Sequence, residues 1–425
     1  MPETNTYWYK TDNVAKVFLA TRNRRDTRSL RISCILTTPI DAEVLQEAVN
    51  EAIRFRPQFH VRIRRGFFWH YLESTEVMPE VAEETGRPCP ILYGSEYKGV
   101  LHFEVTYYGN RINLDMFHAL SDGTGAMEFM NVIVAEYLKL LYPGELENIK
   151  IGSGASAGDL SQDSFEQFYD KGTKSGLLPQ KATGIKKSYH IHSRRLPYDQ
   201  LQFLEIKMNS AELRAHAKEI GAGLTAYIGA RMMLAIYKDM PYLKRRLPIT
   251  VSVPVNLRNY YPSETARNFF NSVKISHVFD GSETLESLSH EFDQMLKDSL
   301  QPDKIKQQME GFQRLERIFF VRMVPLAIKQ PVVKRFSKTE NKRVSFVLSN
   351  LGKLSPDEAI KPYINGFSAF CSHDEMFMTA YSYGDELTLG VTYGFIDTGV
   401  LKNFVRELTG DGIEVTINST EVVRL

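Results

Sequence analysis

Arg111-Ile112-Asn113-Leu114-Asp115-Met116-Phe117, then His118-Ala119-Leu120-Ser121-Asp122-Gly123-Thr124-Gly125, then an apolar run from Ala126 to Leu141, is the stretch that decides the fold. Gly109-Asn110 ahead of it suits the positive φ angles of a tight hairpin, which makes residues 111–117 the second arm of a strand pair begun at 100–108. The helical spacing after Gly125 predicts a helix over 126–141. His118 therefore stands where the chain turns from strand to helix, a place where side chains face a cleft. An imidazole titrates near neutrality and can take a proton from an alcohol or thiol. Asp122 either orients His118 or ties the loop down through a distant cation. Gly123 and Gly125 allow a sharp turn and close backbone approach, and the helix start brings unpaired N–H groups to the same spot.

Working outward, the N-terminal side predicts a strand at 29–39, a helix capped by Asp41, and two strands at 59–63 and 67–72. Pro143-Gly144 ends the helix. Residues 151–195, rich in Gly, Ser, Lys and Gln, read as a linker or crossover between an N-terminal half (1–150) and a C-terminal half (196–425). The second half repeats the theme. Strands are expected at 203–208, 247–254, 272–279, 344–348, 366–371, 375–383, 387–392 and 412–417. Helices are expected from Ser210 as cap to 220, at 224–237, 285–300 and 401–408, and over 304–338 with breaks at Pro325 and Pro331. The apolar stretch 221–237 is interrupted by Arg231 and falls short of the roughly 20 residues a bilayer span requires, so it predicts a buried helix and no transmembrane segment.

Composition narrows the class of partner. Over 425 residues, 52 Lys plus Arg stand against 51 Asp plus Glu, a balance that excludes a global electrostatic grip on nucleic acid. Cys34, Cys89 and Cys371 are too few and too scattered for a disulfide framework or zinc cluster, and the N-terminus has no secretory pattern, which together predict a cytoplasmic protein. His190-Ile191-His192 predicts an exposed strand rather than a metal site. The neutral total conceals a basic run from Lys304 to Arg343 with only Glu310, Glu316 and Glu340 opposed to it. Its cations suit a solvated helix face, CoA phosphates, the acidic face of an acyl-carrier protein, or a membrane surface. Phe312, Leu315, Phe319, Phe320, Met323 and Leu326 are expected to face the core.

Taken alone, His118 reads as a packed histidine as readily as a base, and Asp122-Gly123 as a turn. The spacing His-x-x-x-Asp-Gly after a strand, about 120 residues into the chain, resembles the signature of the CoA-dependent acyltransferase superfamily of chloramphenicol acetyltransferase-like proteins. Further segments match in order: Arg56-Pro57-Gln58-Phe59-His60-Val61-Arg62-Ile63, Ser252-Val253-Pro254-Val255-Asn256-Leu257-Arg258, Asn268-Phe269-Phe270-Asn271 and Ser349-Asn350-Leu351-Gly352. The last is similar to a strand-end motif of the alcohol acetyltransferase and condensation-domain-like branch. Peptide-synthetase condensation domains carry a second histidine where Phe117 stands, and the plant enzymes' Asp-Phe-Gly-Trp-Gly run is missing. Both departures favour a stand-alone O-acyltransferase.

The resemblance implies an α/β fold of α+β two-layer sandwiches, two chloramphenicol acetyltransferase-like halves around a central tunnel. It implies His118 as general base moving an acyl group from acyl-CoA or an acyl-carrier protein to an alcohol, with no permanently bound cofactor and no metal. Asp122 and Gly123 belong to the same catalytic motif. The resemblance also implies that Asp122 points away from His118 and pairs with Arg258, supporting the loop and joining the halves. Asn271 and Ser349 are candidates for oxyanion or substrate contacts. A free-standing condensation enzyme forming an amide, or an inactive thioester- or metabolite-binding protein, are the alternatives. Acceptor identity and acyl length depend on tunnel walls scattered over both halves.

Overall fold

The computed structural model describes residues 7–147, 149, 151, 155–169, 187–197, 200–317 and 322–419, with side chains of 311–317 excepted. Among them the strands form sheets of three, five and seven. The central hairpin is as expected: Phe103–Tyr108 pairs antiparallel with Arg111–Phe117. Ser29–Leu36 pairs with the other side of Arg111–Phe117. Helices Ala42–Phe55 and Gly123–Leu141 cover one face of this five-stranded sheet, burying Leu45, Val49 and Ile53 from the first and Phe129, Ile133 and Tyr137 from the second. Asp41 caps the first helix by accepting from the amides of Glu43 and Val44.

The second core is built on the seven-stranded sheet, in which Phe346–Lys353 runs parallel to both Ile249–Asn256 and Met376–Tyr383. Against it lies helix Leu224–Asp239, buried along Ala226, Tyr227, Met232, Met233 and Ile236. Among the described residues no single helix is long and apolar enough to cross a membrane.

One strand breaks the division into halves. Ile364–Cys371 belongs by position to the second half, yet it pairs antiparallel with Ser29–Leu36 along the edge of the first sheet. The chain thus crosses back at residue 364, and the second half contributes a strand to the first half's sheet.

Other expectations change in detail. The cap of helix Ser210–Glu219 is Asn209, whose side chain accepts from Ala211 and Glu212 amides, because the preceding strand ends there. Pro331 lies inside helix Leu326–Asn341 instead of breaking it, while Pro325 caps the start. The last strand is Thr416–Ser419, not 412–417, since Gly412 takes a positive φ of 86° and turns the chain after helix Gly399–Gly410. His190-Ile191-His192 is not a strand: Ile191 is buried in the second core and His190 faces Glu375 at 3.3 Å. Of the 151–195 segment, the described residues include short helices Ala157–Ser161 and Ser164–Gln167, while 170–186 lies outside the described residues. Leu326 is buried as expected, but Met323 is exposed; the side chains of Phe312, Leu315, Phe319 and Phe320 lie outside the described residues.

Candidate active site

The loop after Arg111–Phe117 is held from several directions. The His118 amide donates to Arg28 O at 2.8 Å, extending the ladder of Ser29–Leu36 by one rung. Asp122 is the N-cap of helix Gly123–Leu141, with Oδ1 accepting from Gly125 N at 3.1 Å. Its other oxygen, Oδ2, accepts from Arg258 Nη1 at 2.8 Å and from Phe269 N at 2.9 Å. Of the two roles open to Asp122, the geometry is that of a tie to a distant cation, 136 residues along the chain.

Arg258 uses its whole guanidinium. Besides Asp122, Nη1 donates to Asn256 Oδ1 at 3.1 Å, Nε and Nη2 donate to Thr265 O, and Nη2 also donates to Arg267 O at 2.7 Å. The segment between Asn256 and Phe270 is thereby folded over the His118 loop. Asn256 Nδ2 adds a hydrogen bond to Thr124 Oγ1 at 3.2 Å, and Ser121 Oγ donates to Ala266 O.

That covering segment supplies Asn268, which the sequence offers as part of the Asn268-Phe269-Phe270-Asn271 match but without a role. Asn268 Oδ1 lies 3.1 Å from His118 Nδ1. Its Nδ2 donates to His118 O at 3.0 Å and reaches Asp12 Oδ2 at 3.4 Å, so the amide oxygen is the atom facing the ring. Since that oxygen only accepts, Nδ1 carries the proton and Nε2 keeps the lone pair. Asp12, which caps helix Asn13–Thr21, is raised to about 6 by burial, with Arg267 opposing. Phe18 from the same helix lies 4.5 Å from the His118 ring between centroids, and Phe270 lies 5.7 Å away. Burial lowers the His118 pKa, Arg28 lowers it further, and Asp122 and Asn268 oppose the shift without reversing it.

His118 lines a cavity of about 750 Å³ between the halves. Phe18, Asp122 and Gly123 wall it from the first half, Pro254, Phe270 and Ser349 from the second, and Phe370 and Cys371 from the crossing strand. Arg28, Arg31 and Lys274 also line it, each paired: with Asp26 at 3.1 Å, Asp115 at 2.5 Å and Glu340 at 2.5 Å. Of the residues proposed from sequence, His118, Asp122, Gly123 and Ser349 meet at this cavity, and Arg258 stands directly behind Asp122. Asn271 is engaged elsewhere, donating to Gln308.

The two loop glycines are not equivalent. A Cβ on Gly123 meets the end of the Leu351 side chain at 2.8 Å, whereas one on Gly125 meets the Ala266 carbonyl oxygen at 2.1 Å and Ser121 Oγ at 2.4 Å. Gly125→Ala must displace backbone, and we expect it to cost about 1–3 kcal/mol in urea unfolding, more than Gly123→Ala. Equal losses for the two would contradict the contact with Ala266.

Residues 177–379, just under half the chain, match the family model of the alcohol acetyltransferases. No curated protein matches the chain in sequence. Solved structures match it along nearly its whole length at low identity. Polyketide synthase associated protein 5 from Mycobacterium tuberculosis is 13% identical with a TM-score of 0.63, covering 94% of this chain and 96% of its own. TRI3 trichothecene 15-O-acetyltransferase from Fusarium sporotrichioides is 13% identical with a TM-score of 0.59, covering 94% of each. TRI101 of F. sporotrichioides, complexed with coenzyme A and T-2, is 10% identical with a TM-score of 0.61, covering 96% and 99%. The chain thus shares the fold of these acetyltransferases along nearly its whole length and matches the alcohol acetyltransferase family model over residues 177–379.

Proposed function

We propose that the chain is an O-acyltransferase that moves an acyl group from an acyl thioester to an alcohol, with His118 as general base. The observation that carries this is the hydrogen bond between His118 Nδ1 and Asn268 Oδ1, which leaves Nε2 as the basic nitrogen in a ring lining a shared cavity. The acceptor hydroxyl gives its proton to Nε2 as its oxygen attacks the thioester carbonyl. Collapse of the tetrahedral intermediate breaks the carbon–sulfur bond, and the imidazolium returns the proton to the leaving thiolate. No acyl-enzyme forms.

Asp122 and Arg258 hold the loop, and Gly123 opens the helix start toward the reacting carbonyl. Ser349, at the cavity wall, is the better placed of the two oxyanion candidates; Asn271 is occupied by Gln308. Acyl-CoA is the favoured donor, supported by the coenzyme A held by TRI101 of similar fold, and O-transfer is supported by the activity in the name of TRI3. The test is a mass-spectrometric screen of acyl-CoA donors against alcohols and amines, with His118→Ala as blank. An amide product without an ester would overturn the O-transfer reading.

The pH dependence has a definite sign. A base must be neutral to act, and burial holds the His118 pKa below its ordinary value near 6.5. We expect kcat/KM to be lost as pH falls through an ionisation below 6.5, and to be flat through neutrality. An acid limb centred above 6.5 would contradict the environment described for the ring.

A further inference from the structure

Helix Leu326–Asn341 lies across the outside of the first half, joined to it where Leu326 N donates to Phe67 O at 2.8 Å. At 100° per residue, Ile328, Val332 and Phe336 fall in one stripe and Lys334, Arg335, Lys338 and Lys342 in a second stripe beside it. The apolar stripe faces outward: Ile328 is 59% exposed, Val332 64% and Phe336 56%. Near the helix start, Met323 is 52% exposed and Phe67, whose carbonyl accepts from Leu326 N, is 71% exposed. Phe67 and Trp8, itself 65% exposed, share the wall of one surface cavity with Arg322. The acidic side chain of this helix, Glu340, is engaged by Lys274 and Arg343. Among the described residues no carboxylate pairs with Lys334, Arg335, Lys338 or Lys342.

Soluble proteins rarely leave so many large apolar side chains together at the surface. A solvated helix face accounts for the cations and leaves Ile328, Val332 and Phe336 unexplained. The acidic face of a carrier protein likewise answers the cations alone. We propose that this face seats on an anionic lipid bilayer, with the apolar stripe and Phe67 at the acyl boundary and the lysine and arginine stripe at the headgroups. The far end of the helix supports a use for such seating. Glu340, Asn341 and then Val344 line the cavity that holds His118, so a docked helix brings that cavity beside the lipid surface, where an apolar alcohol or long-chain donor concentrates. That last consequence rests on the acyl-transfer reading, whereas the docking does not.

Flotation with vesicles tests it. The full chain should float with phosphatidylcholine vesicles containing roughly a third phosphatidylglycerol, and much less with phosphatidylcholine alone. The triple variant Ile328→Ser, Val332→Ser, Phe336→Ser should lower the bound fraction roughly tenfold. Arg335→Glu with Lys338→Glu should lower it similarly on anionic vesicles only. Melting curves check folding, and the charge-reversal pair carries the test if the serine variant melts early. His118→Ala should float like the wild-type chain, which separates failure of the docking from failure of the catalytic assignment. Wild-type protein that stays with the unfloated fraction, variants that float unchanged, or capture by an acidic acyl-carrier protein with vesicles ignored would each overturn the proposal.

Discussion

His118→Ala is expected to lower kcat for acyl transfer by a factor of roughly 10² to 10⁴ with little change in KM, the usual worth of a positioned base. The loss should be kinetic and not structural. The ring rests against Phe18 and Phe270 but fills space that opens onto the cavity, so its removal costs about 1 kcal/mol through the Asn268 hydrogen bond. Single-turnover rates with saturating acyl-CoA, alongside urea unfolding, separate the two. Asn268→Ala should act in the same direction more weakly, because it frees the tautomer without removing the base. Since Asn268 works through His118, the diagnostic is a fall in kcat at constant KM together with an altered acid limb. A His118→Ala enzyme that transfers acyl groups at the wild-type rate would remove His118 from the mechanism.

Arg258→Met should cost about 3–5 kcal/mol of stability, the penalty for leaving one member of a buried ion pair without its partner. The pair is well shielded: Arg258 and Asp122 side chains are 12% and 7% exposed. More than charge is lost, since Thr265 O and Arg267 O are also stripped of a donor. Asp122→Asn should be milder, because an amide oxygen can still cap helix Gly123–Leu141 at Gly125. The double variant should fall short of the sum by about 0.5–3 kcal/mol if the contact is what couples the residues. Additivity in urea unfolding would mean that each residue acts through its separate backbone partners.

What the sequence made legible follows from range. The strand, the turn and the helix around His118 are each set by neighbours within a few residues, so Gly109-Asn110 and the apolar spacing after Gly125 were enough to place them, although the helix begins at Gly123 and not at 126 because Asp122 caps it. Arg258 came from resemblance to a family, because nothing local marks an arginine as the partner of a carboxylate 136 residues away. Asn268 and Asn271 show the limit within one segment. Strand Phe270–His277 alternates its side chains, so Phe270 turns to the cavity while Asn271 turns to Gln308. Asn268 precedes the strand, in the stretch that Arg258 folds over the loop, and its approach to the ring exists only once both halves are assembled. Helix Asn13–Thr21, which brings Phe18 to His118, is short and of mixed polarity, with Asp12 as its one clear signal. The strand at 366–371 was legible as a strand, but strand partners are chosen in three dimensions, and its pairing with Ser29–Leu36 was not.

That pairing sets a timetable for synthesis. Ser29–Leu36 emerges early, yet the neighbour that closes its outer side ends at Cys371. At about 5–20 residues per second, a ribosome leaves the edge open for roughly 15–70 seconds. An open strand of Leu30, Ile32 and Cys34 is a template for pairing with other chains. The nascent first half thus carries an unpaired sheet edge until then, and a chain cut short before residue 364 keeps that edge permanently.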